Sequence, residues 1–407
     1  MTSRLIKILV LASALALCLR SSPAKDSILD LPVSGYPVDG MMLKVYAIER
    51  VYESLDEKDR YYAAFDHAGI SPPKNLKPGE SVVLCAPFKM YNAVGRPAKR
   101  KAYLIVRNIG VERAQDDRVM VSNDPEVIGS PGTFLSEKLN PSESVRLLYY
   151  HKGAGKKHQT LKVSVHNPNP YEIALFTSRG LGGPCADGIY AGHKATRRFL
   201  RQERADSGRI IKIPPYQSYT VAEQELKDSQ VSTGIIKLRQ LTGRGATVTV
   251  TAGKHGEYGE KKKEDGRLSG VLDRAYVDIS ESYSLGEPPL NIRIGESPTL
   301  VTENKGFDIH RGNYGLMHRI KLDINNPSGR AKKASIFYVA SGGPTRGIFM
   351  MGNSLYETGL LDPKKNKSEK IMTVTVPSGG TRTVSINMMP QPGSFYPTRF
   401  VLLEGSP

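Results

Sequence analysis

The chain contains fragments of two catalytic motifs, and neither has the residues that its chemistry needs. Residues 153–156 (GAGK) resemble the core of a phosphate-binding loop, but Lys157 stands where the hydroxyl side chain for Mg²⁺ is required. Ser71 and Lys74 have the spacing of a serine acyl-enzyme pair, yet the two prolines between them prevent the helix that would place both on one face. We interpret the first fragment as a hairpin tip and the second as a proline-rich connection.

Histidine, methionine and carboxylate side chains form no recognisable catalytic or metal site. The eight histidines are scattered, and the adjacent methionines at 350–351 and 388–389 would point to opposite faces of a strand. A glycan hydrolase needs two carboxylates across a cleft, and the sequence does not select a pair. The candidates are Asp116, Asp117, Glu357 and Asp362. We therefore predict no cofactor, no metal and no enzymatic activity, with an exported glycan hydrolase as the alternative.

Clustered basic residues are the most informative chemical feature. The first cluster contains Lys194, Arg197, Arg198, Arg201 and Arg204, and the second contains Lys364, Lys365 and Lys367. Each follows a Gly-Gly-Pro sequence and precedes a candidate strand, so we expect basic loops at matched positions. Clustered positive charge attracts anionic glycan or lipid headgroups, while no recognised motif points to nucleic acid. The competing interpretation is a solvated surface that only aids solubility.

The N-terminus has the pattern of a secretory signal peptide. Arg4 and Lys7 precede an apolar run, residues 8–19, that is too short to span a bilayer, and small residues at Ser22 and Ala24 fit a cleavage site after Ala24. The predicted location is therefore secreted or periplasmic. A lipoprotein modified at Cys18 is the alternative, which is disfavoured because Leu17 stands where a small residue is expected. No later run has the length of a transmembrane helix.

Two cysteines remain after the predicted cleavage, Cys85 and Cys185. An oxidising compartment would permit a disulfide between them, and closing so long a loop would stabilise the fold by about 4 to 5 kcal/mol in the chain-entropy treatment. The equal alternative is two separate buried thiols, because spacing alone cannot bring two cysteines together.

The composition indicates an ordered, basic protein of several domains. The chain has 407 residues, 39% hydrophobic and 24% charged, with 39 Gly, 27 Pro and no Trp. These values exclude a single small domain and wholesale disorder. The net charge of +17 falls to +14 when residues 1–24, with three basic residues and no acid, are removed, so the basicity belongs to the mature chain.

An internal repeat is the strongest organisational signal. Residues 161–168 (LKVSVHNP) match residues 320–327 (IKLDINNP), and three further matches follow in the same order at nearly constant spacing. The strict alternation predicts half-buried strands in which Leu161, Val163 and Val165 occupy the core positions of Ile320, Leu322 and Ile324, in sandwiches of the same strand order. Each Asn-Pro should end its strand, because proline donates no ladder hydrogen bond.

These patterns predict an all-β protein of tandem antiparallel β-sandwiches with an internal duplication, preceded by a cleaved signal peptide. The repeats resemble immunoglobulin-like or fibronectin-type sandwiches, without a Cys…Trp…Cys core. The predicted segments are the signal peptide (1–24), an N-terminal β module with one short helix (25–150), the first repeat (151–255), a charged linker or hairpin tip (256–270) and the second repeat (271–407).

The one helix expected in the N-terminal module covers Ser54 to Phe65, with Ser54 and Glu57 forming a capping box. No run between the later strands has the length and the 3.6-residue period of a crossover helix. Since fold alone does not give function, we expect a non-catalytic binding or structural protein of the cell envelope or extracellular space.

Overall fold

A computed structural model describes residues 27–60, 62–91, 95–124, 126–155, 159–253, 269–296, 299–300, 309–310 and 312–405. The predicted signal peptide with Cys18 lies outside the described residues, as does the predicted charged linker except for its last two residues. The described chain is mostly β-strand arranged in several sheets, as expected for β-sandwiches.

The elements in chain order are β1 (Ser27–Ser34), β2 (Val38–Asp39), α1 (Gly40–Ser54), α2 (Glu57–Arg60), β3 (Ala63–Phe65), β4 (Asn75–Leu76), β5 (Ser81–Tyr91), β6 (Pro97–Asn108), β7 (Arg118–Ser122), β8 (Val127–Ile128), β9 (Gly132–Lys138), β10 (Ser144–Gly153), β11 (Gln159–His166), β12 (Ile173–Cys185), α3 (Gly188–Ala205), β13 (Gly208–Ile213), β14 (Ser218–Leu226), β15 (Val231–Gln240), β16 (Thr247–Gly253), β17 (Ser269–Leu272), β18 (Tyr276–Ser284), β19 (Leu290–Ile294), β20 (Thr299–Leu300), β21 (Ile309–His310), β22 (Met317–Asn325), β23 (Lys332–Ala340), β24 (Ile348–Met351), β25 (Ser354–Glu357), β26 (Ser368–Val376), β27 (Thr381–Met388) and β28 (Thr398–Glu404).

The first of two compact units ends at Arg113 and also includes Ala205–Ile211. Its strand β1 runs parallel to β6 and antiparallel to β13, and β6 continues antiparallel to β5 and then β3. Helix α1 packs its apolar side against this sheet, and the shared core includes Leu43 from the helix and Leu104 from β6. This unit is therefore a mixed sheet covered by a helix.

The predicted helix at Ser54–Phe65 is wrong in its bounds, because the helix that begins inside this range, α2, covers only Glu57–Arg60. Helix α1 ends at Ser54, and Ala63–Phe65 is a strand. The real N-cap is Asp39, whose carboxylate accepts a hydrogen bond from the backbone N–H of Met42 at 2.9 Å. Ser54 instead donates its hydroxyl to the carbonyl of Val51, so it belongs to the last turn of the helix.

The second unit comprises Ala114–Arg204 and Lys212–Pro407, so the predicted boundary at residue 150 lies inside it. Strands β7 to β10 are part of the first sandwich, because β10 pairs along its length with β15. One sheet of this sandwich has the order β17-β7-β10-β15-β12 and the other the order β14-β11-β16-β9. The two sheets are linked by the Tyr149 hydroxyl, which donates to the side-chain oxygen of Gln224 at 2.5 Å.

The second sandwich is also built from two sheets, with the orders β18-β22-β27-β24-β25 and β19-β28-β23-β26. Both sheets contribute to one apolar core, to which β22 supplies Ile320, Leu322 and Ile324. As predicted, these side chains and their counterparts Leu161, Val163 and Val165 are buried. Strands β18 and β19 also belong to the second sandwich. Alternating burial along β11 and β22 follows from the two-residue period of a strand.

The two Asn-Pro sequences end their strands as predicted, and each asparagine makes the same set of hydrogen bonds. The side-chain amide of Asn167 donates to the carbonyls of Tyr171, Ile213 and Pro214 at 2.8 to 3.0 Å. That of Asn326 donates to Arg330, Val376 and Pro377 at 2.8 to 3.1 Å. We call each arrangement an asparagine bridge, because it joins the loop after one strand to the turn before another.

The turns held by the asparagine bridges share a hydrogen bond and a left-handed third residue, although only their first residue, a proline, is the same. In each, the fourth residue donates its N–H to the carbonyl of the first, from Gln217 to Pro214 and from Gly380 to Pro377. The third residue has a left-handed backbone, with φ of 57° at Tyr216 and 61° at Gly379. Glycine is favoured at this position of a type II turn, so a tyrosine there is unusual.

The predicted identity of strand order is wrong, most clearly in the neighbours of the two strands that carry the repeat. Strand β11 lies between β14 and β16 and is antiparallel to both. Strand β22 is antiparallel to β27 but parallel to β18, which precedes it in the chain. The sequence repeat identifies β11 and β22 as equivalent strands. It does not indicate which strand pairs with the second edge of each.

Replacing Asn326 with Ala should lower the free energy of unfolding by about 3 kcal/mol or more, because three carbonyls would lose their donor at a buried position. Urea unfolding followed by circular dichroism measures the change. The neighbouring variant Asn325→Ala is the control, since that side chain bonds at the exposed surface and should cost less than about 1 kcal/mol. Equal losses in the two variants would contradict a structural role for the bridge.

Candidate functional site

Helix α3 carries the first basic cluster, so the predicted loop at this position is wrong. Ala191, Ala195 and Phe199 recur every four residues and are buried, which gives the helix an inward face. Asp187 caps the helix, because its side chain accepts a hydrogen bond from the backbone N–H of Tyr190 at 2.9 Å. The basic residues therefore have fixed positions along 18 residues of helix.

The five predicted basic residues form a stripe on the opposite side of α3, because they recur every three or four positions. We call this set the basic stripe: Lys194, Arg197, Arg198, Arg201 and Arg204. Arg198 and Arg204 are exposed, and the other three side chains are half-buried. A helix thus presents a line of cations at the surface, which a loop of the same sequence would not do.

Contacts orient several members of the basic stripe. Arg197 lies 3.5 Å from the carboxylate of Glu357. Arg198 donates to the carbonyl of Leu181 at 2.8 Å, and Arg204 donates to the carbonyl of Asn353 at 2.9 Å. Because a carbonyl carries no net charge, the last of these bonds orients Arg204 without cancelling its charge.

His193 ties the same helix to the second sandwich. Its Nε2 atom lies 2.9 Å from a carboxylate oxygen of Glu357, and its Nδ1 atom lies 3.0 Å from the side-chain oxygen of Gln391. Gln391 in turn donates to the carbonyl of Arg346. His193 is buried, so this cluster positions α3 against the β24-β25 hairpin.

The second basic cluster is a loop, as predicted, and it lies between β25 and β26. Lys364, Lys365 and Lys367 are exposed there. Asp362 shapes the turn, since its side chain accepts the N–H of Lys364 at 2.9 Å and its carbonyl accepts the N–H of Lys365 at 3.0 Å. The three lysines therefore project from a tight turn, and we call them the lysine turn.

Each of the four carboxylates named as hydrolase candidates makes contacts within the fold. Asp362 shapes the lysine turn, and Glu357 contacts His193. Asp117 accepts the backbone N–H of Ser144 at 2.9 Å. Asp116 is fully buried, so it cannot meet a substrate.

A buried charge network surrounds Asp116. Its carboxylate pairs with Arg146, lies 3.6 Å from the ammonium of Lys237 and accepts the hydroxyl hydrogen bond of Ser144. Lys237 also lies 3.4 Å from Glu203 of helix α3. Two buried cations therefore face two acids, which is the balance that charges need away from water.

The electrostatics of the network keep Asp116 ionised. Burial alone would raise the pKa of its carboxyl, but the charges of Arg146 and Lys237 and the hydrogen bonds from Ser144 and Arg146 outweigh burial. The pKa of Asp116 is accordingly lowered from its ordinary value. The carboxylate is a structural anion, not a general acid for catalysis near neutral pH.

Cysteines and metal ligands give no further site. Cys85 and Cys185 are half-buried thiols, so the possible disulfide is not formed. In the described part of the chain, no group of three or more His, Cys, Asp or Glu side chains could hold a metal ion. Across the same described ranges, no helix has the length and apolarity needed to cross a membrane.

A basic hairpin in the first unit was not among the predicted basic clusters. Lys89 of β5 and Lys99 of β6 are directly opposite each other and exposed, and Arg100 and Lys101 follow. Like charges at opposite positions destabilise a strand pair, so this placement has a cost. The run of basic residues at 96–101 was the available signal.

Comparison with known proteins assigns no family. No family model matches the sequence, and no curated protein matches it. One similar structure is the M60 catalytic domain with the CBM51-1 and CBM51-2 domains from Clostridium perfringens ZmpB, at 7% identity over 85% of this chain and 43% of that chain, with a TM-score of 0.15. The chain thus spans less than half of that structure.

Carbohydrate-binding modules also occur among the similar structures. The N-terminal CBM22-1-CBM22-2 tandem domain from Paenibacillus barcinonensis Xyn10C is 7% identical over 69% of this chain and 92% of that chain, with a TM-score of 0.15. A structure of carbohydrate-binding modules from the β-sandwich superfamily is 11% identical over 56% of this chain and 92% of that chain, with a TM-score of 0.12. At these values the similarities carry no argument about function.

The variant Asp116→Asn should lose about 3 to 5 kcal/mol of unfolding free energy at pH 7, because Arg146 and Lys237 would keep their buried charges with one acid fewer. The wild-type contribution is present above the unfolded pKa of about 3.9 and is lost as the pH falls through the lower folded pKa. Urea unfolding at pH 7 measures the loss. Asp30→Asn, which breaks an exposed pair with Arg107, should cost under about 1 kcal/mol.

His318 should make stability depend on pH in a higher range. Burial lowers the pKa of its ring to about 4. Between an unfolded pKa of about 6.5 and that value, only the unfolded chain takes up the proton, so stability should fall by up to about 3 kcal/mol as the pH decreases. Thermal unfolding should show a smaller decrease for His318→Gln. A slope for His318→Gln equal to that of the wild type would contradict the assignment.

Proposed function

We propose that the chain is an exported, non-catalytic binding protein that contacts an anionic glycan or lipid surface through the basic stripe and the lysine turn. The single observation that supports this most directly is the basic stripe, in which five cations share one side of a helix whose other side is buried. Clustered exposed charge raises the local concentration of an anionic partner, and the chain as a whole carries +17.

The second basic cluster supports the same proposal. The lysine turn follows β23 and precedes β26, while the basic stripe follows β12 and precedes β13. Both clusters therefore come after the strand that follows an asparagine bridge. We propose that the two immunoglobulin-like sandwiches are a tandem duplication whose copies differ in this connection, and that export follows from the signal-peptide pattern of residues 1–24.

Two triple variants test the proposal, Arg198→Ser with Arg201→Ser and Arg204→Ser, and Lys364→Ser with Lys365→Ser and Lys367→Ser. Each should elute from a heparin column at lower salt than the wild type and bind phosphatidylglycerol vesicles severalfold more weakly. Fewer cations would remain to attract the anionic probe, and salt screens the exposed charges that remain. Comparison of the two probes distinguishes a glycan from a lipid partner. The thermal midpoint should stay nearly unchanged.

The control removes the same charge from lysines that already have acidic partners. Lys162, Lys227 and Lys332 lie 2.6 to 3.6 Å from glutamate carboxylates. Their combined change to Ser should leave retention close to that of the wild-type protein. Equal loss in the control and test variants would indicate nonspecific charge. Wild-type retention in both test variants would contradict the proposal.

A further inference from the structure

Two exposed tyrosines occupy one end of the first sandwich. Tyr171 is 47% exposed in the loop after β11, and Tyr216 is 65% exposed in the turn before β14. The asparagine bridge of Asn167 holds these two segments together through the carbonyls of Tyr171 and Pro214. Asn169 adds a third loop, since its side chain donates to the carbonyl of Arg244. We call residues 167–172, 214–217 and 241–246 the tyrosine end.

The backbone at Tyr216 is strained, and the exposed side chain gains little stabilisation from packing. Its φ of 57° is the left-handed conformation that a bulky side chain rarely adopts, and most of its ring faces solvent. The equivalent position of the second sandwich has the same conformation with Gly379, where an added Cβ would meet open space. The fold therefore does not require a tyrosine here, and strained residues of this kind concentrate at functional sites.

We propose that the tyrosine end is a carbohydrate-binding site in which Tyr171 and Tyr216 stack against pyranose rings. The C–H groups on one side of a sugar ring are weakly positive and suit the negative face of an aromatic ring. The site differs from the basic stripe, because it recognises ring shape and hydroxyl groups, not negative charge.

The neighbouring polar side chains fit the hydroxyl groups of a sugar. Glu172, which follows Tyr171 in the chain, forms an exposed ion pair with Lys212 at 2.9 Å, and Arg244 is exposed on the third loop. Together they offer both donors and acceptors on or next to the segments that carry the tyrosines. Carbohydrate recognition needs this combination of stacking and hydrogen bonding.

The tyrosine end is also rigid. Pro168 and Pro170 precede Tyr171, and Pro214 and Pro215 precede Tyr216, so four backbone φ angles are fixed. Together with the bridge of Asn167, this holds the loops in one arrangement before a ligand arrives. A preorganised surface loses little conformational freedom on binding, which favours affinity from few contacts.

A protein partner fits this surface less well. Stable protein interfaces have a contiguous apolar centre. At the tyrosine end, the exposed apolar side chains among the described residues are the two tyrosines and the four prolines beside them in the chain, and charged side chains such as Arg244 are exposed on the same loops. Aromatic rings set among charged groups match a chain of sugar rings better than an apolar protein surface.

Affinity gel electrophoresis of the full chain with four neutral polysaccharides, a mixed-linkage β-glucan, a xylan, a galactomannan and a dextran, tests the proposal. We expect at least one to retard the wild-type protein, equally at low and high salt. Tyr216→Gly and Tyr171→Ser should each weaken that binding about tenfold or more, the order found when an aromatic ring that stacks on a nucleic-acid base is removed. Tyr216→Gly should fold at least as well as the wild type, since glycine holds the equivalent turn in the second sandwich.

Tyr62→Ser is the matched control, because Tyr62 is also 47% exposed but lies in the first unit. Its retardation should equal that of the wild type. If Tyr216→Gly is unstable, Tyr216→Asn repeats the test with a residue that tolerates the left-handed region.

Absence of retardation by all four polysaccharides, or equal retardation of the wild type and the tyrosine variants, would overturn the proposal, and so would binding of a protein partner alone. Binding of a neutral polysaccharide does not depend on protein charge. None of these results would therefore contradict the proposed role of the basic stripe, which the heparin and vesicle experiments test separately.

Discussion

Two buried cations on neighbouring strands impose the main constraint on the second unit. Arg146 of β10 and Lys237 of β15 are directly opposite each other, and both side chains are almost completely buried. Like charges so placed would destabilise the sheet by several kcal/mol unless acids reached them. One acid, Asp116, comes from the segment before β7, and the other, Glu203, comes from helix α3. Charge balance therefore fixes where that helix lies.

Arg146 extends the same constraint to the second sandwich. Its guanidinium donates to the carbonyls of Ala275 and Gly315, which precede β18 and β22, and it lies over the rings of Phe199 and Tyr276. An arginine fork can satisfy an acid and two carbonyls at once, which an ammonium could not do in one plane. The first sandwich, α3 and the start of the second sandwich thus share one buried contact. With its inner side fixed in this way, α3 presents the basic stripe in a constant position.

The sequence predicted local strand features well because the two-residue period and Asn-Pro stops are local signals. It predicted a helix at Ser54–Phe65 from a capping pattern, whereas the structure uses Asp39 as the cap, since a capping box does not itself show that an apolar helical face follows. Helix α3 was missed because its basic residues were interpreted as a loop, although they recur with helical spacing. The buried network could not be predicted, since Asp116, Arg146 and Lys237 are brought together only by sheet pairing.

Some structural features occur in both sandwiches, and others occur in only one of them. Both retain an asparagine bridge, and in both it closes a turn with the same left-handed residue, which argues that this device serves stability. They differ in what is attached: one has a long helix with a basic stripe where the other has a hairpin and the lysine turn. They differ again at the turn itself, where Tyr216 replaces the unstrained choice represented by Gly379. Features present in only one of the two sandwiches are not needed for a sandwich fold, so they need a reason other than stability, and the basic stripe and the exposed tyrosines are both such features.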